Sequence, residues 1–170
     1  MDRFSEAGGV GVVLRFGWFY RPGAKHSEEI FALARRHIAI LIGPATSYVS
    51  SLHVADGGVA IVAALGVGGG TYNVVDNEPL TKRGYADALC AAAGNAAWLR
   101  VPGRLALLLG DRSMSLTRSL RVSIARFREA SGWTPMYPSA REGVSAEHHG
   151  VAAPFSEGRC AEYLCGLTDG

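Results

Sequence analysis

The stretch Val10-Gly11-Val12-Val13-Leu14-Arg15-Phe16 decides the fold class. It is a short apolar run rich in β-branched residues, entered through Gly8 and Gly9. β-Branched side chains pack well on a pleated surface, and a continuous apolar run suits a strand covered on both faces, as in parallel sheets. Arg21-Pro22-Gly23 breaks the chain a few residues later, because proline fixes φ and glycine admits positive φ. Working outward, Ser27-Glu28-Glu29 reads as a helix start, with a hydroxyl cap and acids at the positive end of the dipole. Ile30, Leu33, Ala34 and His37 share one face of that helix, and Arg35 and Arg36 suit its last turn. Residues 38–42 and 47–52 are two short strand candidates around Gly43-Pro44.

A second helix is expected from Asp56, read as its N-cap, with Val59, Ala60, Ala63 and Ala64 at helical spacing. The glycine run 66–70 ends it. Thr71-Tyr72-Asn73-Val74-Val75 is a strand by alternation and β-branching, and 76–79 is a turn. Thr81 caps a helix that runs to about Ala93 and stops at Gly94-Asn95. Further helices are expected over 105–109, 123–130 and 139–148, with Arg126 and Glu129 forming an exposed pair on the second of these. Strand, helix, short strands, helix, strand and then mostly helix is an α/β order. There is no internal repeat. Residues 1–149 read as one domain and 150–170 as a loosely ordered tail.

Composition narrows the function. The chain has 170 residues, 48% hydrophobic and 19% charged, which suits a globular domain. Net charge is +2, too small to predict a nucleic-acid partner, although all but two of the 17 basic residues are arginines. No apolar run approaches the roughly 20 residues of a membrane span. The three cysteines are too few for a disulfide framework and point to a reducing, cytoplasmic home. Cys160 and Cys165 with His148 and His149 are poorly spaced for zinc. The run Gly66-Val67-Gly68-Gly69-Gly70-Thr71 lacks the last glycine of a dinucleotide motif and follows a helix instead of a strand. A serine nucleophile elbow and a P-loop are absent from the sequence. His53 and Asp56, three apart, are read as a local hydrogen-bonded pair at a helix start.

Four phrases, in order, resemble the later half of the extended short-chain dehydrogenases/reductases, the NAD-dependent epimerase/dehydratase family. They are Val13–Gly23 (VLRFGWFYRPG), Ser51–Asp56 (SLHVAD), Thr71–Thr81 (TYNVVDNEPLT), and Gly132-Trp133-Thr134-Pro135 with Tyr137-Pro138-Ser139 and Arg141-Glu142-Gly143. The resemblance implies a truncated Rossmann-like NAD(P)-binding fold, made of C-terminal strands plus a small helical substrate-side lobe. It places Arg15, Tyr20, Arg21, Pro22, Gly23, His53, Asp56, Asn73 and Arg121 beside substrate or cofactor. Tyr20, Pro22 and Gly23 would line an exit loop, His53 and Asp56 would fix a loop-to-helix junction, and Asn73 would sit on a strand of the small lobe.

Two departures matter. Arg21 stands where the family usually has glycine. The glycine-rich βαβ unit and the Tyr-x-x-x-Lys pair are missing, since the residues four before Lys25 and Lys82 are Arg21 and Glu78. The resemblance therefore implies NAD or NADP and a sugar nucleotide, or a similar hydroxyl or carbonyl compound, for a full-length enzyme. This chain is expected to bind no cofactor alone, to have no catalytic residue of its own, and to be inactive. The alternative is a non-enzymatic module that self-associates or docks on an N-terminal partner chain.

Overall fold

The computed structural model describes residues 8–21, 25–41, 44–96, 99–102 and 118–148. The first strand, β1 (Val12–Phe16), pairs in parallel with β6 (Gly70–Val74), Arg15 opposite Asn73. The chain then changes partner. Gly17 N–H donates to the Val74 carbonyl at 3.1 Å, and Trp18 N–H donates to the Ser50 carbonyl at 2.9 Å. β2 (Trp18–Tyr20) continues in parallel with β5 (Ser51–His53), Tyr20 opposite His53. Glycine is required at the switch: a Cβ at Gly17 would lie 2.5 Å from the Ser50 carbonyl oxygen and 2.8 Å from Val75 Cγ1. Asp76 N–H donates to the Ser51 carbonyl at 2.8 Å, so the exit of β6 is tied to the start of β5.

The remaining elements build the smaller lobe. α1 (Lys25–Ala34) leads into β3 (Ile38–Leu41), which pairs in parallel with β8 (Leu99–Pro102). β4 (Tyr48–Val49) pairs antiparallel with β7 (Leu80–Thr81). α3 (Lys82–Ala92) follows with Thr81 as its N-cap, the hydroxyl accepting from Gly84 N–H at 3.0 Å. α4 (Ala125–Ser131) belongs instead with β6, on which it packs, and ends at Gly132, whose φ of 69° places it in the left-handed region that favours glycine. α5 (Ala140–His148) is the last described element.

Two apolar clusters hold these pieces. Leu52, Val74, Val75, Phe127 and Trp133 centre one, where α2 (Val54–Ala63) and α4 cover β1 and β6. Tyr20, Leu80, Cys90, Ala140 and Val144 centre the other, around α1, α3 and α5.

The sequence expectations need five adjustments. α1 begins at Lys25 and ends at Ala34, so Ser27 lies inside it and does not cap it, and Arg35, Arg36 and His37 lie beyond its last turn. α2 begins at Val54 with His53 as its cap, so Asp56 lies inside the first turn and does not cap it. The single strand expected over 47–52 is two, because its partner changes at Ser50, from β7 on one side to β2 on the other. β8 was not anticipated. Asn73 lies in the parallel pair with β1, not in the small lobe. The helix expected at 105–109 and the tail from 150 lie outside the described residues. Among the described residues no helix is long and apolar enough to cross a membrane.

Candidate functional site

The carboxyl ends of β2 and β5 lie side by side, and they bring Tyr20 and His53 together. Both are buried, at 4% and 5% exposure. Their rings meet edge-on with centroids 5.3 Å apart, and Tyr137 closes on the same imidazole at 4.4 Å. His53 Nδ1 accepts the Ala55 N–H at 3.2 Å, which makes Nε2 the proton-bearing nitrogen of the neutral ring. The Tyr20 hydroxyl points to the Ser139 carbonyl at 3.5 Å, and its ring packs against Gly143 with no space for a Cβ there.

Asp56 is 1% exposed and serves as a staple. Its Oδ1 accepts from Met136 N–H at 2.7 Å and its Oδ2 from Tyr137 N–H at 3.0 Å. The loop that carries Tyr137 to the imidazole is thereby fixed to the first turn of α2. His53, Asp56 and Tyr20 thus form one buried cluster.

The other sequence-predicted residues lie apart. Arg15 is exposed on β1 beside Asn73, and Arg21 is exposed just beyond β2. Pro22 and Gly23 are outside the described residues. Arg121 stacks over the Tyr48 ring at 5.4 Å and lines an open cavity of about 640 Å³ with Asp76, Asn77, Ser123 and Arg128. Arg126, expected to pair with Glu129, reaches Thr71 O at 3.3 Å and lies over the Tyr72 ring.

Sequence reasoning missed Asp76, which it read only as a turn residue. Asp76 is 2% exposed. The Ser51 hydroxyl donates to its Oδ2 at 2.6 Å, and its Oδ1 is a buried oxygen with no partner. Burial pushes its carboxyl up to about 7, with Glu78 and Asp56 pushing the same way and the Ser51 hydroxyl and the nearby Ala140 N–H opposing. Nothing local announces this. An aspartate after a strand is ordinary turn chemistry unless the packing above it is known.

No family model matches the chain. A 3-diazoavenalumate denitrifying reductase from a Streptomyces species is 30% identical over 143 residues, which is 81% of this chain and 47% of that protein. The human epimerase family protein SDR39U1, solved with NADPH, superposes with a TM-score of 0.75 at 19% identity, over 83% of this chain and 49% of that one. UDP-N-acetylglucosamine 4-epimerase from Bacillus cereus gives 0.66 at 19% identity, over 87% and 50%. The chain has the fold of the C-terminal half of an extended short-chain dehydrogenase/reductase. It spans about half the length of the relatives it matches.

NADPH, bound in the human structure, is a dinucleotide with a central pyrophosphate. A pyrophosphate needs a glycine turn opening onto a helix N-terminus. The glycine-rich segment 66–70 instead leaves α2 and enters β6. These residues do not fit the cofactor's pyrophosphate. Among the described residues no group of three His, Cys, Asp or Glu side chains is placed to hold a metal, and Cys160 and Cys165 lie outside them.

Proposed function

We propose that this chain is the substrate-side portion of an NAD(P)-dependent epimerase or reductase for a sugar nucleotide or a related hydroxyl or carbonyl compound, and that it is inactive alone. The observation that carries the reading is the fold match over 83% of the chain to an NADPH-bound protein twice its span. The 30% identical reductase supports it. In open α/β sheets ligands sit outside the carboxyl ends of the parallel strands. Tyr20 and His53 occupy such ends here, and Arg21, Pro22 and Gly23 continue from one of them. In this reading Tyr20 and His53 shape the wall of a substrate pocket, while Asp56 holds the Tyr137 loop against it. Arg15, Asn73 and Arg121, which the resemblance places beside substrate or cofactor, lie apart from that wall. The cofactor is held chiefly by a glycine-rich portion that these residues do not encode.

Saturation-transfer NMR with UDP-glucose and tryptophan fluorescence with NADPH test this together. Binding of the sugar nucleotide is expected, with no micromolar response to NADPH and no turnover. Micromolar dinucleotide binding or turnover would overturn the inactive-portion reading; absence of any sugar-nucleotide binding would overturn the substrate-side reading.

A second reading, a module that self-associates or docks on a separate chain, is favoured by one observation. Val10, Phe19, Ile61, Leu65 and Leu120 are exposed apolar side chains on a domain whose parallel pairing β1–β6 has only two described strands. Light scattering on the purified chain discriminates: a monodisperse monomer at high concentration counts against it.

A further inference from the structure

α2 is apolar on every side. Its sequence, VADGGVAIVA over Val54–Ala63, has one ionisable side chain, and that one, Asp56, is turned inward to the Met136 and Tyr137 N–H groups. Val59, Ala60 and Ala63 on its inner face belong to the first apolar cluster. The outer face is apolar as well. Val54, Ile61 and Leu65 are 38%, 54% and 68% exposed, the last of them in the short turn of helix, Ala64–Gly66, that continues α2. A helix that is apolar all round is ordinarily buried all round.

The outer residues are also in register. Val54, Gly58, Ile61 and Leu65 are four, three and four apart, the spacing by which one helix presents a continuous row to another. Gly58 leaves a notch near the middle of the row, since a Cβ added there would meet nothing within 4 Å. Phe19, itself exposed, borders the row with its ring against Gly57.

None of these residues is charged, and that selects the occupant. A helix with an acidic or basic face would lose water from its charges here and gain no counter-charge. A second copy of the chain brings the same uncharged row. Two such helices crossing at Gly58 can bring their backbones close, because neither has a side chain at the crossing. We propose that the outer face of α2 is the contact face of a homodimer, in which two copies pack α2 antiparallel about a two-fold axis at Gly58, with Ile61 of one against the partner's Val54. The proposal rests on the self-associating reading and adds to it the face and the geometry. The 10 residues of α2 span about 15 Å, a short contact beside the roughly 800 Å² per partner of a standard stable complex. A reversible dimer is therefore expected, not a permanent one.

Sedimentation equilibrium of the full chain across the micromolar range tests this. The average mass should rise with concentration from one copy towards two, and added salt should not weaken the association, because no ion pair holds the row. Ile61→Glu and Leu65→Glu change exposed positions, where the fold tolerates a charge, and each should leave the chain monomeric throughout. Circular dichroism checks that both are folded. Leu120→Glu changes an equally exposed apolar residue beside Tyr48 and should leave the dimer intact. A dimer unmoved by Ile61→Glu and Leu65→Glu, a dimer weakened as much by Leu120→Glu, or a mass that keeps growing past two copies would overturn the α2 geometry while self-association stood. A monomer at every concentration would overturn both and leave the face to a different chain.

Discussion

Asp56 joins the first turn of α2 to a loop 80 residues further along the chain, through bonds from Met136 and Tyr137 N–H. The Tyr137 bond is buried and the Met136 bond partly so. Asp56→Ala leaves both unpaired, and each buried orphan costs about 1–3 kcal/mol. A loss of roughly 2–4 kcal/mol in urea unfolding is therefore expected, with a smaller loss for Asp56→Asn, which keeps one acceptor. If Asp56→Ala unfolded within 0.5 kcal/mol of the parent, on the scale of a neutral surface change, the staple would be unimportant. The residue was visible in the sequence as a helix-start acid, but it was expected to cap α2 and instead accepts from the Met136 and Tyr137 N–H groups. Its donors were not visible. They lie 80 residues away, and no local pattern encodes that pairing. Asp76 was hidden for the same reason, since its burial comes from Ser51 and from α5.

At the scale of elements, local chemistry settled what local chemistry governs. Thr81 caps α3 as its hydroxyl side chain led one to expect, and β1, β6 and α5 appear where alternation, β-branching and punctuation put them. β8 escaped because Leu99-Arg100-Val101-Pro102 contains an arginine and a proline, and only β3 beside it makes it a strand. The change of partner at Gly17 was equally illegible, because it depends on where Ser50 and Val75 lie. It carries a sharp test. In Gly17→Ala the new methyl would press on the Ser50 carbonyl, which is backbone and cannot swing away as a side-chain end could. Separating them means moving β5 from β2 and disturbing the Tyr20–His53 pairing. A loss of at least about 3 kcal/mol, or no soluble folded protein, is expected by circular dichroism and denaturation. An alanine variant as stable as the parent would show that β1 and β2 have room that the geometry denies.

Across the whole molecule the two apolar clusters meet at a polar seam. Asp56, Asp76 and Ser51 lie there, together with Pro138, whose carbonyl accepts from Asn77 and Glu78 N–H. Apolar clusters add stability that changes little with pH. The seam makes the fold pH-sensitive. Asp76 titrates near 7 when folded and near its ordinary 3.8 when unfolded. Between those values the folded chain keeps a proton that the unfolded chain has released. Stability therefore falls as pH rises from about 4 through 7, and the burial penalty is complete above 7. A shift of about three units corresponds to up to roughly 4 kcal/mol. The melting temperature should drop from pH 5 to pH 8 in the parent. In Asp76→Asn the drop should shrink, leaving the variant relatively more stable at pH 8 than at pH 5. The comparison isolates this carboxyl from the five histidines, which titrate in both proteins. Parallel melting curves for the two proteins across that range would mean that Asp76 is ionised in the folded chain at neutral pH. The oxygen left without a partner would then be a carboxylate, with a solvent or ion contact to hold it.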